Sequence, residues 1–262
     1  MGKIICVTNL KGGVGKTTTA VNLAASFAFL EKKTLLIDCD PQGSATTEMG
    51  INKQKLKKSF YDAFVSNISL KDIARQDKKL KYLQIAPVKD DFFKVELELM
   101  SKNSKEKILK NLIFEVQKNY DFIVLDTPPS LNLICINALA AANSILIPLQ
   151  CEFLAYESMI QTLKFVQVSK KSLNSNLEIE GVLLTMYDMG EKISQQIANN
   201  AKKHLKNKVF KTIIPRSVQL RESSTIGKPL IVADSGSVGA KCYLDLAKEI
   251  LENQANQANS KI

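Results

Sequence analysis

A glycine-rich run near the start of the chain combines two lysines with two threonines. It reads Lys11-Gly12-Gly13-Val14-Gly15-Lys16-Thr17-Thr18. Glycines let a backbone wrap closely around an anion and point several N–H groups at it. Lys16 would place a compact cation on the outer phosphates of a nucleotide, and the Thr17 hydroxyl suits Mg²⁺. The run therefore predicts a site for a nucleoside triphosphate with Mg²⁺.

The run departs from the usual P-loop pattern, G-x-x-x-x-G-K-[ST], at its first position. Leu10 stands where that pattern needs glycine, and an extra lysine, Lys11, follows it. A glycine-rich turn that carries a chance lysine is the alternative interpretation. It is disfavoured because an apolar strand precedes the run and a helix follows it, which is the context that a phosphate loop requires.

Two acidic loops each follow an apolar run. The first is Asp38-Cys39-Asp40-Pro41-Gln42-Gly43 and the second is Asp126-Thr127-Pro128-Pro129-Ser130. The carboxyl ends of parallel strands face the ligand crevice, so these side chains are expected beside the glycine-rich run. A carboxylate there can hold Mg²⁺ directly or through a water, and a spare one can activate the attacking water. A helix cap or a turn residue is the alternative for either loop taken alone.

Alternating strands and helices are predicted to hold these loops in place. The predicted strands are 4–8, 34–37, 82–86, 122–125, 144–149, 179–186 and 209–214. The predicted helices are 17–30, 102–118, 159–172, 194–205 and 240–251, with short helices within 44–81. This order predicts an α/β fold with a single doubly wound, mostly parallel sheet and helices on both faces. We expect one P-loop domain over residues 1–252 and a polar, frayed tail over 253–262.

Composition restricts the partners and the cellular compartment. The chain has 262 residues and a formal net charge of +10, which favours nucleic acid or an anionic membrane as a partner. A lysine-rich surface that is merely solvated is the alternative. Five scattered cysteines without a C-x-x-C pair are typical of reduced thiols in the cytoplasm. No apolar stretch reaches the ~20 residues that span a bilayer.

The basic excess is concentrated toward the C-terminal end of the chain. Residues 202–228 contain eight lysines and arginines against one acidic residue, Glu222. Lys202 and Lys206 would share one face of a helix. Such a stripe suits phosphate contacts that ignore base sequence, although a solvated face is the alternative. The predicted DNA contacts are Lys202, Lys203, Lys206, Arg221, Lys228 and Lys241.

These motifs, together with Ile214-Pro215-Arg216, resemble the ParA/MinD family of deviant Walker A ATPases, in particular the short chromosomal ParA proteins often called Soj. The resemblance extends from Lys3 to about Leu251. It implies that ATP, bound with Mg²⁺, pairs two subunits face to face with the nucleotide between them. Lys11 matches the family's extra lysine, which reaches the partner's phosphates.

Further roles are implied by the same resemblance. Asp40 matches the water-activating acid and, with Lys11 and Lys16, completes the expected catalytic set. Thr17, Asp38 and Asp126 match the residues on the Mg²⁺ side. The nucleotide-binding set is expected to comprise residues 11–18 together with Pro215 and Arg216, which match the segment near the adenine.

The implied function is partitioning of a chromosome or plasmid. The ATP-bound homodimer would bind double-stranded DNA without sequence preference, in the cytoplasm on the nucleoid and without a membrane. A ParB-like centromere-binding protein would stimulate a weak intrinsic hydrolysis and release the dimer. Relatives often carry arginines where this chain has Gly190 and Gln219, so Arg221 is the expected substitute.

Two alternatives on the same fold remain open. A MinD-like or cargo-positioning ATPase would act on a membrane or a protein assembly. Membrane binding needs an amphipathic C-terminal helix, and the tail after Leu251 offers only Ala255, Ala258 and Ile262 as apolar residues. A metal-cluster carrier needs paired cysteines, and Cys135, just after the second acidic loop, is its one candidate ligand.

Overall fold

A central sheet with helices on both faces organises the chain. The computed structural model describes residues 1–100, 102, 104–152 and 155–259, which form eight strands and twelve α-helices. The strands are β1 Lys3–Val7, β2 Thr34–Asp38, β3 Arg75–Gln76, β4 Leu83–Ala86, β5 Phe122–Asp126, β6 Ser144–Gln150, β7 Glu178–Tyr187 and β8 Val209–Pro215. Their order in the sheet is β3-β4-β2-β5-β1-β6-β7-β8. Every pair of neighbours is parallel except β3 and β4, which confirms the doubly wound α/β fold.

The helices divide between the two faces of the sheet. They are α1 Lys16–Phe29, α2 Ser44–Glu48, α3 Phe60–Ser66, α4 Leu70–Ile73, α5 Val95–Met100, α6 Ile108–Val116, α7 Leu133–Ala141, α8 Ala155–Ser172, α9 Lys192–Leu205, α10 Val218–Thr225, α11 Leu230–Ala233 and α12 Val238–Asn259. One apolar core joins the sheet to α3 through α9. The other joins it to α1, α2, α10, α11 and α12. Because both faces are covered, a central strand such as β5 is buried along its whole length.

The register of the central strands brings the two acidic loops together. Asp38 at the end of β2 pairs with Asp126 at the end of β5, and Val7 at the end of β1 pairs with the same Asp126. All three strands run in one direction, so their carboxyl ends lie at one edge of the sheet. The loop after β1, which contains the glycine-rich run, therefore begins beside both carboxylates.

All seven predicted strands are present, with each end within one residue of its predicted position. Several other elements carried no signal in the sequence. The strand β3 is only two residues long and pairs antiparallel at the sheet edge. The helix α7 is buried all round, so it lacks the one-sided apolar pattern that marks a surface helix. The helix predicted over 102–118 is shorter, because a 3-10 turn over Lys105–Lys107 precedes α6.

The expected frayed tail over 253–262 is helical as far as Asn259, and residues 260–262 lie outside the described residues. The helix α12 is anchored by Tyr243, Leu246 and Ile250, which are fully buried. Residues 252–256 are exposed, and no glycine or proline follows Ile250. Once a helix is anchored, each further residue adds a hydrogen bond without a new nucleation step, so the polar segment continues the helix.

Candidate active site

The glycine-rich run forms a loop between β1 and the start of α1. Gly13 and Gly15 adopt left-handed backbone conformations, with φ of 75° and 87°, which glycine adopts without strain. No atom lies within 4 Å of where a side chain on Gly12 or Gly13 would begin, so the space in front of the loop is open. The free N–H groups at the start of α1 adjoin that space, which makes it suitable for an anion.

Side chains behind the loop hold it in shape. The Asn9 amide donates to the Pro148 carbonyl at 2.7 Å, and its Oδ1 accepts from the Lys11 N–H at 3.0 Å. On the other side, the Thr185 hydroxyl donates to the Val14 carbonyl at 2.9 Å. These bonds tie the loop to β6 and β7, so little ordering is needed when a ligand binds.

Lys16 is buried at the centre of the loop. Its Nζ donates to the Lys11 carbonyl oxygen at 2.8 Å. Burial lowers the pKa of the Lys16 ammonium, while the nearby Asp126 and Asp40 carboxyls act in the opposite direction. A phosphate oxygen carries more negative charge than a carbonyl and would make a stronger partner for this cation.

Asp38 and Asp126 lie side by side at the strand ends. The Asp38 Oδ2 accepts from the Thr46 N–H at 2.8 Å and the Thr46 hydroxyl at 2.6 Å, while its Oδ1 accepts from the Asp40 N–H at 3.2 Å. Burial still raises the pKa of Asp38 to about 6. Asp38 is thus a carboxyl fixed in position by its neighbours.

Asp126 is fully buried, and neither of its carboxylate oxygens receives a well-formed hydrogen bond. Burial raises its pKa well above the ordinary value, Asp38 adds to the rise, and the Thr17 hydroxyl nearby opposes it. Two adjacent buried carboxyls and a hydroxyl are hard oxygen ligands of the kind Mg²⁺ prefers. No three His, Cys, Asp or Glu side chains lie together as a metal site among the described residues, so water and phosphate would complete this coordination.

Asp40 lies two residues beyond Asp38, in the loop after β2, and is 8% exposed. One of its carboxylate oxygens accepts from the Gln42 N–H at 2.9 Å, and its carbonyl accepts from the Gly43 N–H at 2.8 Å. The turn therefore holds a third carboxylate close to Lys16 and within electrostatic range of Asp38 and Asp126. Such a group is placed to orient a water at the outer phosphate.

A cavity of about 360 Å³ begins at Gly15 and Thr18 and extends away from the acidic pair. Pro215 and Arg216, at the end of β8, form part of its wall. Behind it, the Tyr243 hydroxyl lies 3.2 Å from the Thr19 hydroxyl. Its size and its position beside the phosphate loop fit a nucleoside.

Sequence reasoning missed Thr46, Tyr243 and Glu48 at this site. Glu48 lines the nucleoside cavity, and burial raises its pKa to about 7, with the Ser224 hydroxyl acting in the opposite direction. These residues come from α2 and α12, far from the glycine-rich run in sequence. No local motif marks any of the three, because only packing of the helices brings them to the loop.

The predicted DNA contacts do not form one stripe. Lys202 and Lys203 lie on α9, on one face of the sheet, whereas Arg221 and Lys241 lie on α10 and α12, on the other face. Lys206 follows the end of α9 with φ of 48° and does not continue the helix. The chain crosses the sheet through β8, which separates side chains that are close in sequence.

Cys135 lies behind the phosphate loop. Its Sγ is 3.9 Å from the Thr8 hydroxyl oxygen, and burial raises its pKa to about 11. A buried thiol with a raised pKa is a poor nucleophile and a poor metal ligand. Across the described residues, no helix combines the length and the apolar character needed to cross a membrane.

Comparison with known proteins gives consistent matches. The AAA domain family matches residues 2–179. The sporulation initiation inhibitor protein Soj of Bacillus subtilis is 46% identical, covering 97% of this chain and 100% of that protein. The chromosome partitioning protein ParA of Myxococcus xanthus is 42% identical, covering 96% of this chain and 89% of that protein. Cobyrinic acid a,c-diamide synthase from Mycobacterium smegmatis, solved with ADP and magnesium, has a TM-score of 0.85 at 27% identity and covers 97% and 96% of the two chains.

Proposed function

The chain belongs to the ParA/MinD family and is a ParA-type partition ATPase, and from that premise we propose that it is an ATP-gated switch on DNA. ATP binding brings two copies together face to face, and the homodimer binds double-stranded DNA without sequence preference. A ParB-like centromere-binding protein stimulates a weak intrinsic hydrolysis, and hydrolysis releases the dimer. The protein acts in the cytoplasm, on the nucleoid.

One observation supports the ATPase chemistry above all. Asp126 is fully buried with no well-formed hydrogen bond to either carboxylate oxygen, beside Asp38, the Thr17 hydroxyl and the Lys16 ammonium. Burying an unpaired carboxyl destabilises a fold by about 1–3 kcal/mol or more. Such an arrangement is retained where a bound ligand stabilises it. Mg²⁺ supplies positive charge for the Asp126 carboxyl, and the phosphates of a nucleotide supply negative charge for the Lys16 ammonium.

The residues then have separate roles. The loop N–H groups and Lys16 bind the phosphates, and Thr17, Asp38 and Asp126 hold Mg²⁺ directly or through water. When bound, Mg²⁺ neutralises charge on the phosphate oxygens. Asp40 orients the attacking water and accepts its proton.

The adenosine occupies the cavity that leads away from Gly15 and Thr18, with Pro215 and Arg216 on its wall. Arg216 is held near the cavity mouth by a weak, exposed ion pair with Glu152, whose nitrogen–oxygen distance is 3.4 Å. The cavity volume accommodates a nucleoside.

Lys11 supplies the contact between the two subunits. Its backbone N–H and carbonyl are both used within its own loop, bonded to Asn9 and Lys16. The side chain is only partly buried and makes no ion pair among the described residues. A cation presented in this way can reach a partner's phosphates and stabilise charge there as an arginine finger does.

The DNA contacts are proposed on charge alone. The candidates on the surface are Lys202, Lys203, Lys206, Arg221, Lys228 and Lys241, all of them exposed. Contacts from lysine and arginine to phosphate carry no base information, which suits binding without sequence preference.

Binding of duplex DNA with ATP, with ADP and without nucleotide, at two salt concentrations, tests this function. We expect binding that requires ATP and weakens steeply as salt rises. Lys16→Ala is the matched control: because it should not bind ATP, it should fail to bind DNA in all three nucleotide states. DNA binding that is equal in all three nucleotide states, or absent in all of them, would contradict the switch.

A further inference from the structure

A large cavity opens at the β3–β4 edge of the sheet, apart from the nucleoside cavity. Its volume is about 730 Å³, and its floor includes Met49, Leu56 and Val232. Among the charged side chains that line it, Asp77 is acidic and the other six are basic. The basic residues are Lys55, Lys57, Arg75, Lys78, Lys79 and Lys228.

The positive charge of this cavity is not neutralised by the protein. All six basic residues are exposed, and none forms an ion pair within the described part of the chain. The Asp77 Oδ1 is already used, because it accepts from the Lys79 and Leu80 N–H groups at 2.8 and 2.7 Å. Like charges gathered in this way repel one another, so an anionic ligand would stabilise them.

The same surface continues along the sheet edge. A second cavity of about 380 Å³ shares Gln76 with the first and is lined by Lys33, Lys71 and Lys81. The Gln76 amide donates to the Leu80 and Leu83 carbonyls at 3.0 and 2.7 Å, which fixes the backbone between the two cavities. We call the six basic residues of the first cavity and these three lysines the basic groove.

We propose that the basic groove is the surface on which the sugar-phosphate backbone of DNA docks. The proposal rests on the proposed function and identifies the surface that performs it. Lysine ammonium groups bind phosphates as point charges and do not read bases. The alternative surface at the end of α9 offers Lys202, Lys203 and Lys206, a smaller set on the opposite face of the sheet.

The groove adjoins the nucleoside cavity through a thin wall. Glu48 and Ser224 line the nucleoside cavity. Met49, which follows Glu48 in the chain, lines the groove, as does Lys228. Between them two glycine backbones are in contact. A side chain on Gly50 would begin 2.6 Å from the Gly227 carbonyl oxygen, and one on Gly227 would begin 2.7 Å from the Gly50 Cα.

This close contact gives a route from nucleotide to DNA. Both glycines have positive φ, 69° and 64°, so neither position accepts a side chain without strain. Because the two backbones touch, a shift of α2 or α10 on filling the nucleoside cavity would displace the loop that carries Lys228. Charge reversal in the groove should weaken DNA binding in the ATP state above all.

The test compares two double variants of equal charge change. Lys57→Glu with Lys79→Glu alters the groove, and Lys202→Glu with Lys203→Glu alters α9. All four side chains are exposed, and circular dichroism checks that both variants fold. Duplex DNA binding is measured with ATP over a salt series, together with the milder variant Lys57→Gln with Lys79→Gln.

We expect the groove reversal to lower DNA affinity more than tenfold and to reduce the salt slope by about two, since each lost phosphate contact removes about 0.9. The milder variant should fall between wild type and the reversal. The α9 reversal should change affinity less than the groove reversal does. Equal or greater loss in the α9 variant would overturn the assignment of the groove while leaving the DNA switch intact. Failure of the wild-type protein to bind DNA would overturn both.

Discussion

The buried charged side chains at the site differ in how many hydrogen-bond partners the nucleotide-free fold gives them. The Lys16 ammonium has the Lys11 carbonyl, and Asp38 has Thr46, but Asp126 has no well-formed hydrogen bond. A buried polar group without a partner destabilises the fold that contains it. The buried Asp126 carboxyl therefore lowers the stability of the free protein, and a bound cation would remove this destabilisation.

The role of Lys16 predicts a large loss on truncation. Lys16→Ala removes the buried cation that faces the phosphates, so ATP affinity should fall on the order of 100-fold, the equivalent of about 3 kcal/mol for a charged hydrogen bond. Equilibrium binding of a fluorescent ATP analogue measures it. Lys110→Ala, an exposed lysine on α6, is the control and should bind normally. Unchanged ATP affinity in Lys16→Ala would contradict the assignment.

Asp126 leads to an opposite expectation for stability. In the absence of nucleotide and Mg²⁺, Asp126→Asn should raise the free energy of unfolding at pH 7.5 by about 1–3 kcal/mol, because it removes a buried unpaired carboxyl. Folding raises the pKa of Asp126, so its penalty grows as pH rises above the unfolded value of about 3.9 and vanishes below it.

Urea unfolding of both proteins at pH 7.5 and pH 5 measures this difference. The advantage of Asp126→Asn should be smaller at pH 5, because the unfolded carboxyl is then closer to its own titration. Added ATP with Mg²⁺ should stabilise the wild type more than the variant. A variant that is less stable than wild type at pH 7.5 without ligand would show that Asp126 is satisfied in the free protein.

At the scale of elements, two helices support the phosphate loop from one face. The helix α1 starts in the loop and packs against α12, and Phe27 of α1 stacks on Phe122 of β5 with ring centroids 3.9 Å apart. The Tyr243 hydroxyl of α12 lies against Thr19, two residues beyond Thr17. The direction of α1, and hence the position of its N-terminus, depends on this packing.

The two halves of α12 should contribute unequally to stability. Leu246 is fully buried, so Leu246→Ala should lower the free energy of unfolding by about 2–5 kcal/mol. Deleting residues 254–262 should change it by less than about 0.5 kcal/mol, because the side chains of residues 254–256 at the start of this segment are exposed. Urea unfolding compares the two. A truncation as damaging as Leu246→Ala would mean that the last turns of the helix are packed.

The whole molecule presents its site at the edge of the sheet, where a second copy can cover it. Lys11, Gly12 and Gly13 are partly or fully exposed there, while Lys16 and the acidic pair behind them are buried. A group that must act on another subunit belongs at the surface, and groups that bind the subunit's own nucleotide belong beneath it. This layering supports a site that two chains share.

Asp40→Ala separates assembly from hydrolysis. The substitution removes the proposed water-orienting carboxylate and leaves Lys16, Thr17 and Lys11 in place. With ATP and Mg²⁺ the variant should sediment at twice the mass of one chain and stay on DNA, while its hydrolysis falls below detection. Analytical ultracentrifugation and phosphate release measure the two properties. Lys11→Ala is the counterpart, expected to bind ATP but to lack stimulation. Normal hydrolysis by Asp40→Ala would disprove its role.

The sequence alone determined the parts of the protein that depend on neighbouring residues. The run from Lys11 to Thr18 has its chemistry in consecutive side chains, and the strands are short apolar runs whose burial on both faces needs no distant partner. The order of strands and helices then fixed a parallel sheet, and the parallel sheet fixed that Asp38 and Asp126 meet at one edge.

Only the tertiary structure decided which distant residues share a surface. Thr46 reaches Asp38 because α2 folds back over the end of β2, and Glu48 reaches the nucleoside cavity for the same reason. The basic run over 202–228 is divided between two faces by β8, while Lys228 joins lysines from residues 55–79. Periodicity and motif spacing describe positions along the chain, whereas burial and electrostatic fields depend on distances in space, which packing sets.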